Sequence, residues 1–219
     1  MIEDTLSLAS RAKRGASFTE EADLMEKLAH GQSPQVLYIG CSDSQIMPSR
    51  ILGAAPGDIF VMRNIANVVP PADAPAPCVG AVLECAMMHL RVRHIVVCGH
   101  TFCGGIQELD LPPDEHEPNL AQWIAYARPA KDRVSDKLRG HARYNAIIEA
   151  NVMLQVEHLM TYPYIKAAVE AGELEIHPWV YDFRSGRVRI YDEVTGIFVE
   201  EPPFELADDE AKDLEGATG

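Results

Sequence analysis

Apolar residues come along this chain in short blocks separated by polar, Gly-marked or Pro-marked breaks, and the blocks are of two kinds. Val36 to Ile39, Ile59 to Arg63 and His94 to Gly99 are brief, dense apolar blocks that read as strands, and the third, β-branched and apolar throughout, has the pattern of a strand buried on both faces. Glu175 to Tyr181 and Val188 to Asp192 add two more strands, joined by a turn at Ser185-Gly186. Elsewhere the apolar positions recur at helical spacing. Val82, Leu83, Ala86, Met87 and Leu90 predict a helix over Gly80 to Leu90, and Leu120 to Leu138 and Tyr144 to Leu159 predict two longer ones. Pro163 to Ala171 predicts a shorter helix ended by Gly172. Ser17-Phe18-Thr19-Glu20 has the form of a capping box and opens a helix expected to reach about His30, where Gly31 stops it. Residues 1–16 read as a further helix. Such alternation predicts an α/β fold with a central, mostly parallel sheet flanked by helices. The expected organisation is an N-terminal helical arm over 1–30, a domain over 31–199 and an acidic, flexible tail over 200–219.

Charge narrows the function. Acidic residues number 33 against 19 basic ones, a formal charge of −14, which argues against nonspecific nucleic-acid binding because that requires Lys and Arg on phosphates. Part of the excess is local, in Glu200-Glu201 and Asp208-Asp209-Glu210, and this marks the tail as solvated. No apolar run approaches the roughly 20 residues that span a bilayer. Met1-Ile2-Glu3-Asp4-Thr5 lacks an apolar signal core, so a cytoplasmic protein is expected. Five cysteines without regular spacing fit a reducing compartment better than a disulfide framework. Cys78, Cys85 and Cys98 lie in apolar surroundings and read as small buried hydrophobes.

That leaves Cys41 and Cys103. Cys41-Ser42-Asp43-Ser44 follows the first strand, and His100-Thr101-Phe102-Cys103-Gly104-Gly105 follows the third. Both motifs therefore fall at carboxyl ends of strands, where open α/β sheets place their sites. Two thiols, an imidazole and a carboxylate are zinc-type ligands, and two Cys with one His leave a fourth position open for chemistry. Spacing alone leaves a second reading, of two ordinary cysteines and a loop histidine. His89, His94 and His158 read as surface or packed residues on regular elements.

From about Gln32 to Asp192 the chain resembles the β-class carbonic anhydrases. The resemblance rests on Cys41-Ser42-Asp43-Ser44, Pro56-Gly57-Asp58-Ile59-Phe60-Val61, Arg63-Asn64-Ile65-Ala66-Asn67 and Gly99-His100 through Cys103-Gly104-Gly105. It continues in Leu159 to Tyr164 and Val180-Tyr181-Asp182. It implies a four-stranded parallel sheet with an extension strand, and a homodimer or multiple of dimers whose N-terminal helices wrap a neighbour. It also implies one zinc per chain on Cys41, His100 and Cys103, with zinc-bound hydroxide converting carbon dioxide to bicarbonate. Asp43 would orient that hydroxide, or coordinate zinc itself in a closed form. Gln32 matches a substrate-facing amide. Phe60, Ile65, Cys85 and Gly104 match the substrate pocket, with Gly104 permitting close backbone approach to the metal. Gly40, Arg63 and Tyr181 match a regulatory bicarbonate pocket found in part of the family, with Tyr38 in place of its tryptophan.

Two positions depart from the pattern. Gln45 stands where the family carries Arg, so Asp43 is expected to be held off the metal less firmly, by a neutral amide without charge assistance, with Arg50 a nearby substitute. Cys85 stands where many relatives have an aromatic residue. These departures keep two rival functions open: hydrolysis of carbonyl sulfide or carbon disulfide on the same scaffold, and a weakly active bicarbonate-binding homologue.

Overall fold

The computed structural model describes residues 22–200. β1 (Val36–Cys41) lies between β2 (Ile59–Asn64) and β3 (His94–His100), and β4 (Glu175–Tyr181) lies beyond β3, all four parallel. β5 (Val188–Asp192) and β6 (Ile197–Glu200) continue the sheet antiparallel, giving the order β2-β1-β3-β4-β5-β6. The chain leaves β1 toward β2 and then returns past it to β3. That reversal opens a crevice at the carboxyl ends of β1 and β3.

The helices in chain order are α1 (Ala22–Ala29), α2 (Pro48–Leu52), α3 (Pro77–Glu84), α4 (Gly104–Gln107), α5 (Pro118–Ile124), α6 (Arg128–Asp132), α7 (Gly140–Leu159) and α8 (Pro163–Glu170). One sheet face carries Leu37, Ile39, Ile95, Val97 and Val180, all with no exposed area, against Ile147, Ile148 and Val152 of α7. Each such aliphatic side chain contributes about 1.5–3 kcal/mol of burial. A Cβ added at Gly99 would lie 2.7 Å from Val152 Cγ2, so this glycine lets α7 lie close on the sheet. The other face buries Tyr38, Val96 and Cys98 against Ile46, Ile51 and Leu52.

α7 also carries a column of polar groups that the sequence reading missed. Asn151, Gln155 and His158 lie one above the other at helical spacing and bond to the irregular segment after β2. Asn151 Nδ2 donates to Ala66 O at 3.1 Å, and Gln155 Nε2 donates to Asn151 Oδ1 at 2.8 Å. Gln155 Oε1 accepts the Val69 amide at 2.8 Å, and His158 Nδ1–H donates to Val69 O at 2.7 Å. Tyr162, one step further, donates its hydroxyl to Pro70 O at 2.9 Å. This column satisfies a buried backbone stretch that has no strand partner, and so holds the segment entered through the left-handed pair Ala66 and Asn67. Gln155→Leu strands the Val69 amide and Asn151 Oδ1 away from water. The expected loss is about 2–4 kcal/mol, read as a lowered urea midpoint at unchanged slope.

His158 adds a pH dependence. Burial, the largest influence, holds its imidazole below the ordinary histidine range. The unfolded chain therefore binds this proton more readily than the folded one. The stabilisation is complete above the unfolded pKa of about 6.5 and is lost as pH falls through the lower folded value. His158→Gln should flatten that part of a stability profile measured from pH 7.5 to 5.

Several expectations need correction. Leu120 to Leu138 is not one helix: Pro129 restarts the chain as α6 after a turn of 3₁₀ helix at Ala125–Ala127, and residues 133–139 are irregular. The helix expected over Gly80 to Leu90 begins earlier, at Pro77, and widens into a π-helical turn over Cys85–Leu90. α7 starts at Gly140 rather than Tyr144. A sixth strand follows β5, and Glu200 belongs to it rather than to a tail, receiving Arg187 Nη1 at 2.9 Å. Cys78 is exposed, not buried. The arm helix is described only as α1, ended at Gly31 with φ 144. The capping box, the helix over 1–16 and the acidic run after Glu200 lie outside the described residues.

Candidate metal centre

Cys41 is the last residue of β1 and His100 the last of β3, so adjacent parallel strands deliver them to the same crevice. Cys103 arrives by a tight turn. Phe102 takes left-handed backbone, φ 61, a strained geometry for a non-glycine residue, and folds the chain back ahead of α4. Its ring is braced by the edge of His141, centroids 5.0 Å apart, and by the Arg184 guanidinium 4.8 Å over its face. The ligand atoms of Cys41, His100 and Cys103 then lie within 4.8 Å of one another, and all three residues are buried.

Their chemistry fits a metal ion. His100 Nδ1 lies 2.9 Å from Thr101 O, a group that only accepts, so Nδ1 carries the proton. Nε2 is left with a bare lone pair, fully buried and without a hydrogen-bond partner among the described residues. The Cys41 and Cys103 sulfurs are 3.9 Å apart, far beyond a disulfide but close to the roughly 3.8 Å expected of two sulfurs about 2.3 Å from a tetrahedral ion. The Cys103 thiol beside it holds the Cys41 thiol well below its ordinary range, and contact with Cys41, then burial, pushes the Cys103 thiol up. Coordination to a divalent cation favours the thiolate at both.

Neighbouring groups fix the ligands. Thr101 N–H donates to Tyr181 O at 3.0 Å, its hydroxyl donates to Asp182 Oδ1 at 3.2 Å, and its oxygen accepts the Phe183 amide at 3.1 Å. Phe183 meets the His100 ring edge-on at 5.0 Å. On the other side Arg63 donates Nε to Cys41 O at 2.9 Å and Nη2 to Asp43 O. The guanidinium that meets this loop is therefore that of Arg63, not Arg50, and it is spent on main-chain carbonyls. Tyr38 lies over Gly40, where an added Cβ would sit 2.4 Å from the ring. Gly40 and Arg63 are paired in register, and Tyr181 of β4 packs on the same cluster as Tyr38, against Phe183.

Asp43 is not part of the three-ligand cluster. Its Oδ1 accepts the backbone amide of Gln45 at 2.9 Å, in an Asx turn; the Gln45 side chain is exposed and does not take that role. Ile65 stands beside the loop. With Ser42, Arg63, Val79, Leu120 and Trp123 it lines an open, largely apolar cleft of about 550 Å³, and its carbonyl accepts Trp123 Nε1 at 2.9 Å. Gly104 is exposed and an added Cβ there meets nothing. The close approach belongs to Gly105, whose Cβ would lie 2.6 Å from Ile65 Cγ2.

Gln32 and Phe60 are not brought to the ligands of their own chain, and Cys85 is outside the three-ligand cluster. Gln32 precedes β1, at the end of the sheet opposite Cys41. Phe60 pairs with Leu37, four positions short of Cys41, or roughly 13 Å along the strand. Cys85 begins the widened turn after α3.

A buried Cys₂His cluster at the switch point of a parallel α/β sheet defines a metalloenzyme-type fold. Comparison with known proteins agrees with it. A family model described as carbonic anhydrase matches residues 36–188. A carbonic anhydrase of Synechocystis sp. is 35% identical over 192 residues, covering 85% of this chain and 70% of that protein. The structure of the β-carbonic anhydrase CcaA superposes with a TM-score of 0.82 at 34% identity, covering 90% of this chain and 98% of that one. One of two tetrameric β-carbonic anhydrases from Sordaria macrospora gives 0.71 at 34% identity, covering 87% and 95%. The chain belongs to the β-carbonic anhydrase family and is an enzyme of the carbonic anhydrase type.

Proposed function

We propose that Cys41, His100 and Cys103 hold one zinc ion per chain and that the enzyme interconverts carbon dioxide and bicarbonate. The observation that carries this reading is the bare, buried lone pair of His100 Nε2 beside two sulfurs 3.9 Å apart. Two thiolates and a neutral imidazole balance a divalent charge, which makes burial of the ion affordable. Bound zinc supplies the Lewis acidity that makes hydroxide available at moderate pH. Thiolates donate more charge than imidazoles, so the activity is expected to favour alkaline pH.

The chain's own groups do the rest. Arg63 fixes the Cys41 and Asp43 carbonyls and so sets where the Asp43 carboxylate stands. That carboxylate, anchored through one oxygen by the Gln45 amide, has its other oxygen to accept a hydrogen bond from the attacking oxygen's O–H and so aim its lone pair. The apolar cleft beside Ser42 and Ile65 admits uncharged carbon dioxide. Gln32 and Phe60 can act on substrate only from a second copy of the chain, in keeping with the tetrameric relatives. A reducing, cytoplasmic setting suits the unpaired Cys41 and Cys103. Among the described residues no helix is long and apolar enough to cross a membrane.

The test is stopped-flow carbon dioxide hydration by the zinc-loaded protein beside carbonyl sulfide hydrolysis by the same sample. Hydration rising from pH 7 to 9, with little sulfide turnover, is expected. A zinc-replete protein inactive toward carbon dioxide at pH 9, or faster on carbonyl sulfide, overturns the reading.

A further inference from the structure

The amino-terminal end of the sheet is remote from Cys41 and His100: β3 runs from His94 to His100, roughly 20 Å at strand rise. Three ligand-type side chains meet there. His94 opens β3 and Glu175 opens β4, and the two are paired in register. His177 follows Glu175 by two positions and so projects from the same face. His94 Nδ1 lies 3.1 Å from His177 Nε2, and Glu175 Oε2 lies 3.6 Å from the first and 3.7 Å from the second.

A single hydrogen bond between imidazoles accounts for the nitrogen–nitrogen approach. It does not account for a carboxylate oxygen placed almost equally far from both nitrogens. A shared cation does. Nitrogen and oxygen ligands about 2.0–2.2 Å from a tetrahedral ion lie roughly 3.4 Å from one another, the mean spacing of this triangle. The backbone at this end is fixed: His94 N–H donates to Gln35 O at 3.1 Å and Glu175 N–H to Arg93 O at 3.0 Å, so the ligands start from hydrogen-bonded strand ends. The three side chains are 40%, 69% and 32% exposed in chain order, which gives an ion access and leaves positions for water.

We infer that His94, Glu175 and His177 form a second, noncatalytic metal site that takes a divalent late transition ion and joins β3 to β4. Two imidazoles with one carboxylate select zinc, cobalt, nickel or copper over calcium or magnesium, which take oxygen ligands. None of these side chains enters the proposed catalysis, so the site stands or falls independently of it.

The test is equilibrium dialysis of the full chain against buffered micromolar zinc, followed by metal analysis. The expected content is two ions per chain in the wild type, one in His94→Ala/His177→Ala with hydration activity retained, and one in Cys103→Ser. Cobalt loaded into Cys103→Ser should show weak d–d bands without a thiolate charge-transfer band. The partly exposed histidines make the double variant the safer arm should Cys103→Ser fold poorly. One ion per chain in the wild type overturns the site, as does a second ion retained by the double variant.

Discussion

Cys103→Ser will strip the catalytic metal from the purified protein and lower carbon dioxide hydration by more than about 100-fold. Removing a group that merely orients a metal ligand costs 10–100-fold in affinity or activity, and loss of a ligand itself should exceed that. Serine offers a poorly acidic hydroxyl in place of a thiolate. It also leaves the Cys41 sulfur and His100 Nε2 buried with an incomplete charge balance. Metal affinity is folding energy when the site forms only in the native state, so the melting temperature should fall as well. Metal content, hydration rate and a thermal melt on one preparation make the check. A variant that keeps stoichiometric metal at this centre and its rate removes the proposed ligand set.

Gln45→Arg is expected to act in the opposite direction, raising the hydration rate below pH 8. The Gln45 main-chain amide already holds Asp43 Oδ1, and that bond survives substitution. What Arg adds is a charge-assisted contact worth about 1.5–3 kcal/mol, enough to move an equilibrium between free and metal-bound Asp43 by roughly one to two decades. The gain should shrink toward pH 9, where hydroxide competes better with the carboxylate. An unchanged or lower rate at intact metal content would show that the amide and the Arg63 clamp hold Asp43 adequately by themselves.

The first five strands were readable because each is a short block rich in apolar or aromatic residues between turn or helix signals. β6 was not: Ile197, Phe198 and Val199 are only three apolar residues before an acidic run, and their place is set by pairing with β5 rather than by their own pattern. The broken helix around Pro129 could have been read, since proline in a helix interior removes a hydrogen bond. The column of Asn151, Gln155 and His158 was hidden for another reason. Polar residues on a helix look like a solvated face until a partner-less backbone is packed against them, and their spacing was the one available sign. The ligand motifs stood out because chemistry restricts residue type more tightly than packing does. Gln32, Phe60 and Cys85 matched a pocket by motif, yet one chain's sequence does not say which copy of the fold a residue serves.

The three catalytic ligands are not anchored alike. Cys41 and His100 end strands whose ladders run on through the sheet, and moving either would mean opening β1 or β3. Cys103 hangs instead from the turn at Phe102 and the four-residue α4. An ion leaving this centre would therefore shed Cys103 first. Its exchange rate would report on local opening of residues 101–107 rather than on global unfolding, a slow step that chelator competition followed over hours could time.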